Sequence, residues 1–68
     1  MKALSVREIQ IIRYTAKGYT AKEIAKALGL EYRTVEIYVS NIRKKLAAKN
    51  IAHAVYKATQ ENILNESP

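Results

Sequence analysis

The sequence contains no cysteine, aspartate, tryptophan or phenylalanine, and in 68 residues it has a single proline and two glycines. Without cysteine, neither a disulfide framework nor a thiolate metal site can form, which excludes a staple-dependent secreted miniprotein and favours a reducing cytoplasm. Uninterrupted apolar stretches never exceed three residues, and Met1-Lys2-Ala3-Leu4 runs straight into charged sequence, so neither a membrane span nor an export signal is expected. The catalytic inventory is equally thin. The single histidine, His53, has no carboxylate at triad or metal spacing, and there is no glycine-rich phosphate loop. We therefore expect no catalytic residue, no metal site and no cofactor. Strand patterning is missing too, since no segment alternates over five residues between turn signals.

What is present is positive charge. Lys+Arg total 12 against six acidic residues, giving a formal net charge of +6 on a chain that is 49% hydrophobic. A chain this short makes one small domain that buries only about 60% of its unfolded surface, with little room for a small-molecule cavity. Helix packing or a partner chain must help hold it together. Such a basic surface favours a polyanion, nucleic acid first and an anionic membrane second. The cations are concentrated in the first fifty residues; beyond them stand only Lys57, Glu61 and Glu66. The C-terminal segment is thus assigned to core completion or self-association. The polar stretch from Asn62 onward is expected to fray, leaving a domain over 1–64 and a disordered tail over 65–68.

Helix signals are dense. Ser5-Val-Arg-Glu8 and Thr20-Ala-Lys-Glu23 fit the capping-box pattern and predict helices starting near residues 6 and 21, with Gly18 and Gly29 as stops. Leu4, Ile11, Ile12 and Thr15 share one face of the first helix, and Ala21, Ile24, Ala25 and Leu28 one face of the second. A third run, roughly 32–47, puts Val35, Tyr38, Val39, Ile42 and Leu46 on one stripe and Arg33, Glu36, Ser40, Arg43 and Lys44 elsewhere. Asn50 is a good N-cap for a fourth helix carrying Ile51, Ala54, Val55 and Ala58 at helical spacing. The expectation is an all-α, compact four-helix domain. Its segment from Thr20 to Leu46, with a sharp turn around Gly29-Leu30-Glu31, follows helix-turn-helix grammar.

The order Leu4-Ser5, Arg7-Glu8, Gly18, Lys22-Glu23-Ile24-Ala25, Leu28, Thr34-Val35, Ile42, Lys45-Leu46, Asn50 and Ala54-Val55 resembles the LuxR-type (GerE-type) DNA-binding domain, over about residues 4–64. The resemblance implies a bacterial transcriptional regulator, or its C-terminal effector domain, that binds double-stranded DNA as a dimer through the second and third helices and pairs through the fourth. Carried over by position, base contacts fall on Glu36, Ile37 and Ser40, and phosphate contacts on Thr20, Lys22, Arg33, Thr34, Lys44 and Lys45. A weak homodimer would use Ala52, Tyr56, Thr59 and Ile63 of the fourth helix. RNA polymerase is a further implied contact, at the bacterial nucleoid; no membrane and no small-molecule ligand is expected.

This sequence departs from the family pattern at four positions. Glu31 stands where a Ser or Thr N-cap is common, Tyr38 replaces a frequent His, and Glu36 and Ser40 occupy positions that are often basic. The operator cannot therefore be borrowed from relatives.

Plainer readings stand beside these. Arg43, Lys44, Lys45 and Lys49 also suit a solvated helix end favoured by the dipole, and Glu36 also suits a surface charge paired with Arg33 or Ser40. Ile37 lies off the apolar stripe, where contact with a thymine methyl would justify its exposure. The five tyrosines read as core or boundary aromatics, and His53 as a surface or dimer-edge residue. Competing functions are the region of sigma factors that recognises the −35 promoter element, which the fourth helix after Asn50 argues against, and a helical module meeting an acidic protein partner. A membrane-binding amphipathic helix fits less well because the cations spread over three helices.

Overall fold

A computed structural model describes residues 4–61. They form four helices, α1 (Val6–Ala16), α2 (Ala21–Leu28), α3 (Tyr32–Lys45) and α4 (Ile51–Gln60), with no strand among the described residues. The starts follow the local chemistry. The Ser5 hydroxyl accepts from the Glu8 amide at 3.1 Å while the Glu8 carboxylate accepts from the Ser5 amide at 2.8 Å, and Thr20 and Glu23 repeat the arrangement at 3.2 and 2.8 Å. Each box satisfies two backbone donors that the helix itself cannot. Asn50 caps α4 by accepting from the His53 amide at 2.8 Å, and His53 Nδ1 in turn accepts from the Lys49 amide at 3.0 Å. The histidine ring thereby satisfies a backbone donor one residue ahead of the cap. Glu31 precedes α3 without any side-chain cap bond, as its departure from Ser or Thr implied.

The helix ends differ in an instructive way. Gly29 closes α2 in the left-handed region at φ 68°, letting the Leu30 amide donate back to the Ala25 carbonyl at 2.9 Å and the chain turn directly into α3. At the end of α3 the same manoeuvre is made by an alanine: Ala47 sits at φ 52° and the Ala48 amide donates to the Arg43 carbonyl at 2.9 Å. The helix therefore stops at Lys45, short of the 47 expected from sequence. Lys57 of α4 reaches back and donates to the Leu46 and Ala47 carbonyls at 3.0 and 3.2 Å, giving orphan acceptors at this end a charged partner.

The core is aliphatic. Ile11, Ile12, Ile24, Ala25, Val35, Ile42, Leu46, Ala48, Ala54 and Ala58 are buried, with Leu4, Tyr14, Leu28, Tyr38, Val39, Ile51 and Val55 packed partly against them. Leu4 contributes from outside α1, ahead of the cap, and not from within the helix. Of the tyrosines, Tyr14 and Tyr38 join this packing; Tyr19, Tyr32 and Tyr56 are exposed, Tyr19 with its ring 4.8 Å from that of Tyr14. Among the described residues one charged side chain is buried, Glu8, and Lys45 of α3 donates to it at 2.8 Å. The α2–α3 contact is the most extensive in the domain, so the turn at Gly29 joins the two most tightly coupled helices.

Candidate nucleic-acid interface

The N-terminal ends of α2 and α3 and the outward side of α3 carry most of the residues assigned to DNA. Thr20 and Lys22, at the start of α2, are exposed; the Thr20 hydroxyl oxygen accepts from the Glu23 amide in its cap, which leaves its O–H donor and Lys22's ammonium facing solvent. On the first turn of α3 Arg33 is exposed and Thr34 half-buried. Glu36 and Ile37 follow in solvent, and Ser40 is half-buried one turn on. Ile37 retains 54% of its surface, large for an aliphatic side chain.

Glu36 and Ser40 meet in one place. Together with Val39 and Arg43 of α3 and Ala21 of α2 they line an open depression of about 330 Å³ between the start of α2 and the outer side of α3. Arg43 belongs to this cluster through simple helical spacing, three residues beyond Ser40 and seven beyond Glu36. By sequence alone it suits a solvated helix end as well as a phosphate contact. Tyr32, at the first position of α3, lies one turn ahead of Glu36, and interaction with that carboxylate holds its phenol above its ordinary range.

Lys44 and Lys45 separate. Lys44 is exposed, whereas the Lys45 side chain keeps only 32% of its surface and is bonded to the Glu8 carboxylate, itself 5% exposed. Burial alone would raise the Glu8 pKa, but the hydrogen bond from Lys45, the Ser5 amide and the Lys45 charge together lower it. Lys45 is thus a bolt between α1 and α3. On the far side of the domain, Ala52, Tyr56 and Thr59 of α4 share an exposed face, with Tyr56 60% exposed, and the Thr59 hydroxyl donates to the Val55 carbonyl at 3.0 Å. Ile63, the domain limit at 64 and the tail at 65–68 lie outside the described residues. No helix among the described residues is long and apolar enough to cross a membrane.

This geometry, two capped helices joined by a left-handed glycine with a polar outer side on the second, is that of a helix-turn-helix. Residues 2–58 match the family model described as bacterial regulatory proteins, luxR family. Among curated relatives, the response regulator protein VraR of Staphylococcus aureus, and likewise that of Staphylococcus epidermidis, is 41% identical over 61 residues, covering 90% of this chain and 29% of the relative. The chain therefore spans less than a third of the length of those proteins. Among solved structures, the phage VqmA–DPO complex superposes with a TM-score of 0.86 at 31% identity, over 100% of this chain and 31% of the other. Response regulator ChrA of a heme-sensing two-component system superposes at 0.88 and 30% identity, over 93% of this chain and 31% of the other. The family is one of DNA-binding regulators and not an enzyme class. The chain belongs to the luxR family of bacterial regulatory proteins, as a helix-turn-helix DNA-binding domain.

Proposed function

We propose that the chain binds double-stranded DNA sequence-specifically, as a transcriptional regulator or as the effector part of a longer one, and that two copies occupy a two-fold-related site in the bacterial cytoplasm. The observation that carries this reading is the outer side of the α2–α3 unit. Lys22, Arg33 and Lys44 are exposed there around the depression that Glu36, Ser40 and Arg43 line. Cations on the rim suit the two phosphate walls of a major groove, while side chains along the middle of α3 reach base edges. In this reading Thr20, Lys22, Arg33, Thr34 and Lys44 contact phosphates, Arg43 joins them, and Glu36, Ile37 and Ser40 face bases. Lys45 is left out because its ammonium is committed to Glu8.

Pairing through α4 is the second part of the proposal. Ala52, Tyr56 and Thr59 form a continuous exposed face that is mostly free of charge, suited to a self-complementary contact. One short helix offers less area than stable dimers bury, so we expect a monomer in dilute solution that pairs on DNA. RNA polymerase is the expected downstream partner. The likeness to response regulators supports an effector role, since the chain corresponds to about the 29% of such a protein that it matches.

Selection of binding sites from random duplex, followed by footprinting, tests both parts. The expected result is a two-fold-symmetric site with half-sites about one helical turn apart. Recovery of no enriched sequence, or of a single asymmetric site occupied by one copy, would overturn the reading or its dimeric half respectively.

A further inference from the structure

We propose that mild acid weakens pairing through α4, because His53 fastens the first turn of that helix only while its imidazole is neutral. The inference rests on the α4 pairing reading above and names what regulates it.

The connection between α3 and α4, residues 46–50, is held by two side chains of α4 that stand one turn apart on the same side of the helix. Lys57 donates to the Leu46 and Ala47 carbonyls at 3.0 and 3.2 Å, and the half-buried His53 accepts at Nδ1 from the Lys49 amide at 3.0 Å. The two grips differ in chemistry. An ammonium keeps its protons throughout the neutral and acid range, whereas Nδ1 accepts only while it carries no proton. Ala47, within the held segment, is kept at φ 52°, a left-handed conformation that an alanine adopts at a cost, so the segment gains by relaxing once a grip is lost.

Protonation acts on the His53 grip in three ways. The Nδ1 acceptor becomes a donor facing the Lys49 N–H, and the bond is lost. The new charge lies in the first turn of α4, behind the Asn50 cap, where the helix dipole disfavours a cation. It also stands one turn from the Lys57 ammonium, a like charge at i, i+4. The helices packed against α4, α1 and α3, bring no relief. Helix α3 ends in Arg43, Lys44 and Lys45; α1 and its C-cap carry Arg7, Arg13 and Lys17, and the one acid of α1, Glu8, is committed to Lys45. No carboxylate pairs with His53 among the described residues.

The first turn of α4 is also where the pairing face begins, since Ala52 precedes His53 and Tyr56 and Thr59 follow along the helix. A face presented by one short helix has little area to lose, so loosening that turn weakens the contact. The Lys49 bond is present above the range in which imidazole ordinarily titrates, about pH 6.5, and is lost as pH falls through it. Glu8, held below its usual 4.5, stays ionised in that window, and its pair with Lys45 is untouched.

The test compares the parent chain, His53→Asn and His53→Ala at about pH 7.5 and about pH 5.5. Asparagine places Oδ1 where Nδ1 stood, an acceptor that does not titrate, and alanine places none. Thermal melting verifies the fold of each variant. One readout is protection of the Lys49 amide from hydrogen exchange, relative to its intrinsic rate at each pH. The other is the cooperativity with which two copies occupy a duplex carrying the two half-sites recovered by selection, with a duplex carrying one half-site as reference. For the parent, acid should lower both protection and cooperativity by roughly five- to ten-fold, the worth of one hydrogen bond together with the unfavourable charge, while affinity for the single half-site stays within about two-fold. His53→Asn should keep the neutral values at both pH, and His53→Ala should show the acid values at both. Lys49 protection that does not fall with acid, or a loss of cooperativity that persists in His53→Asn, would overturn the inference. Acid weakening of the single half-site to the same degree would overturn its assignment to pairing. A parent chain without cooperativity at either pH would overturn the α4 pairing reading itself, and this inference with it, whatever the Lys49 amide shows.

Discussion

Lys44 and Lys45 are adjacent residues of one type on one helix, and the fold gives them opposite employment. A step of one residue turns a side chain by about 100° around the helix axis, enough to carry Lys44 to the solvent side and Lys45 onto α1. The carboxylates divide in the same way: Glu8 is buried against Lys45, while Glu36 is exposed on the outer side of α3. The inner pair binds the helices to one another, and the outer groups are left for a partner. Residue type does not distinguish structural from functional charge here; the distinction is made by what the opposite helix supplies.

The sharpest way to break that comparison is to remove each lysine in turn. Lys45→Ala leaves a buried carboxylate without its counter-charge, which we expect to destabilise the domain by about 2 kcal/mol, less than for a fully buried pair because Lys45 is partly solvated. The melting temperature should fall by roughly 8 to 16 °C. Lys44→Ala should stay within about 0.5 kcal/mol of the parent. Equal effects in thermal melting would erase the division between the two.

Acid should find the same seam. The folded-state pKa of Glu8 lies below its ordinary value of 4.5, so the pair contributes fully above that pH and its contribution is lost as pH falls through the lowered pKa. Denaturant unfolding at about pH 6 and pH 3 should show this decline, and Lys45→Ala should shrink it, because the largest force lowering the Glu8 pKa is then gone. A variant with an undiminished acid slope would show that other carboxylates carry the effect.

The two turns flanking α3 sharpen the comparison further. A Cβ on Gly29 would meet nothing within 4 Å, so Gly29→Ala should cost only the left-handed backbone strain, about 1 kcal/mol. Ala47→Gly relieves the same strain but frees the unfolded chain, for a net gain of about 0.5 kcal/mol. Opposite signs in chemical denaturation are the expected outcome, and matching signs would mean that local contacts outweigh backbone conformation at one of the turns.

Much of this architecture was readable because it is written in short-range chemistry. Ser5 with Glu8, Thr20 with Glu23, Asn50 and Gly29 each act over a few residues, so their spacing located three helix starts and the turn of the helix-turn-helix. The end of α3 was not readable, because the left-handed position there is filled by Ala47, a residue that ordinarily continues a helix. Nor was the fate of Lys45, whose partner lies 37 residues earlier and is already engaged in a local cap. Glu8 serves both, and only the packing of α1 on α3 brings the second role about. On the outer side of α3, Glu36, Ile37 and Ser40 were placed by their position on the helix, while Arg43 joins Glu36 and Ser40 only through the depression that they line together.

The central claim, that the exposed outer side of α2 and α3 neutralises DNA phosphates, is tested most directly by duplex affinity measured across salt concentrations for the parent chain, Arg33→Ala and Lys44→Ala. Phosphate contacts release counterions, so log affinity should fall linearly with log salt, with a slope of magnitude roughly 4 to 8 for two copies, and each variant should reduce that slope by about one per copy. Binding that is insensitive to salt, or a slope left intact by both substitutions, would contradict the account.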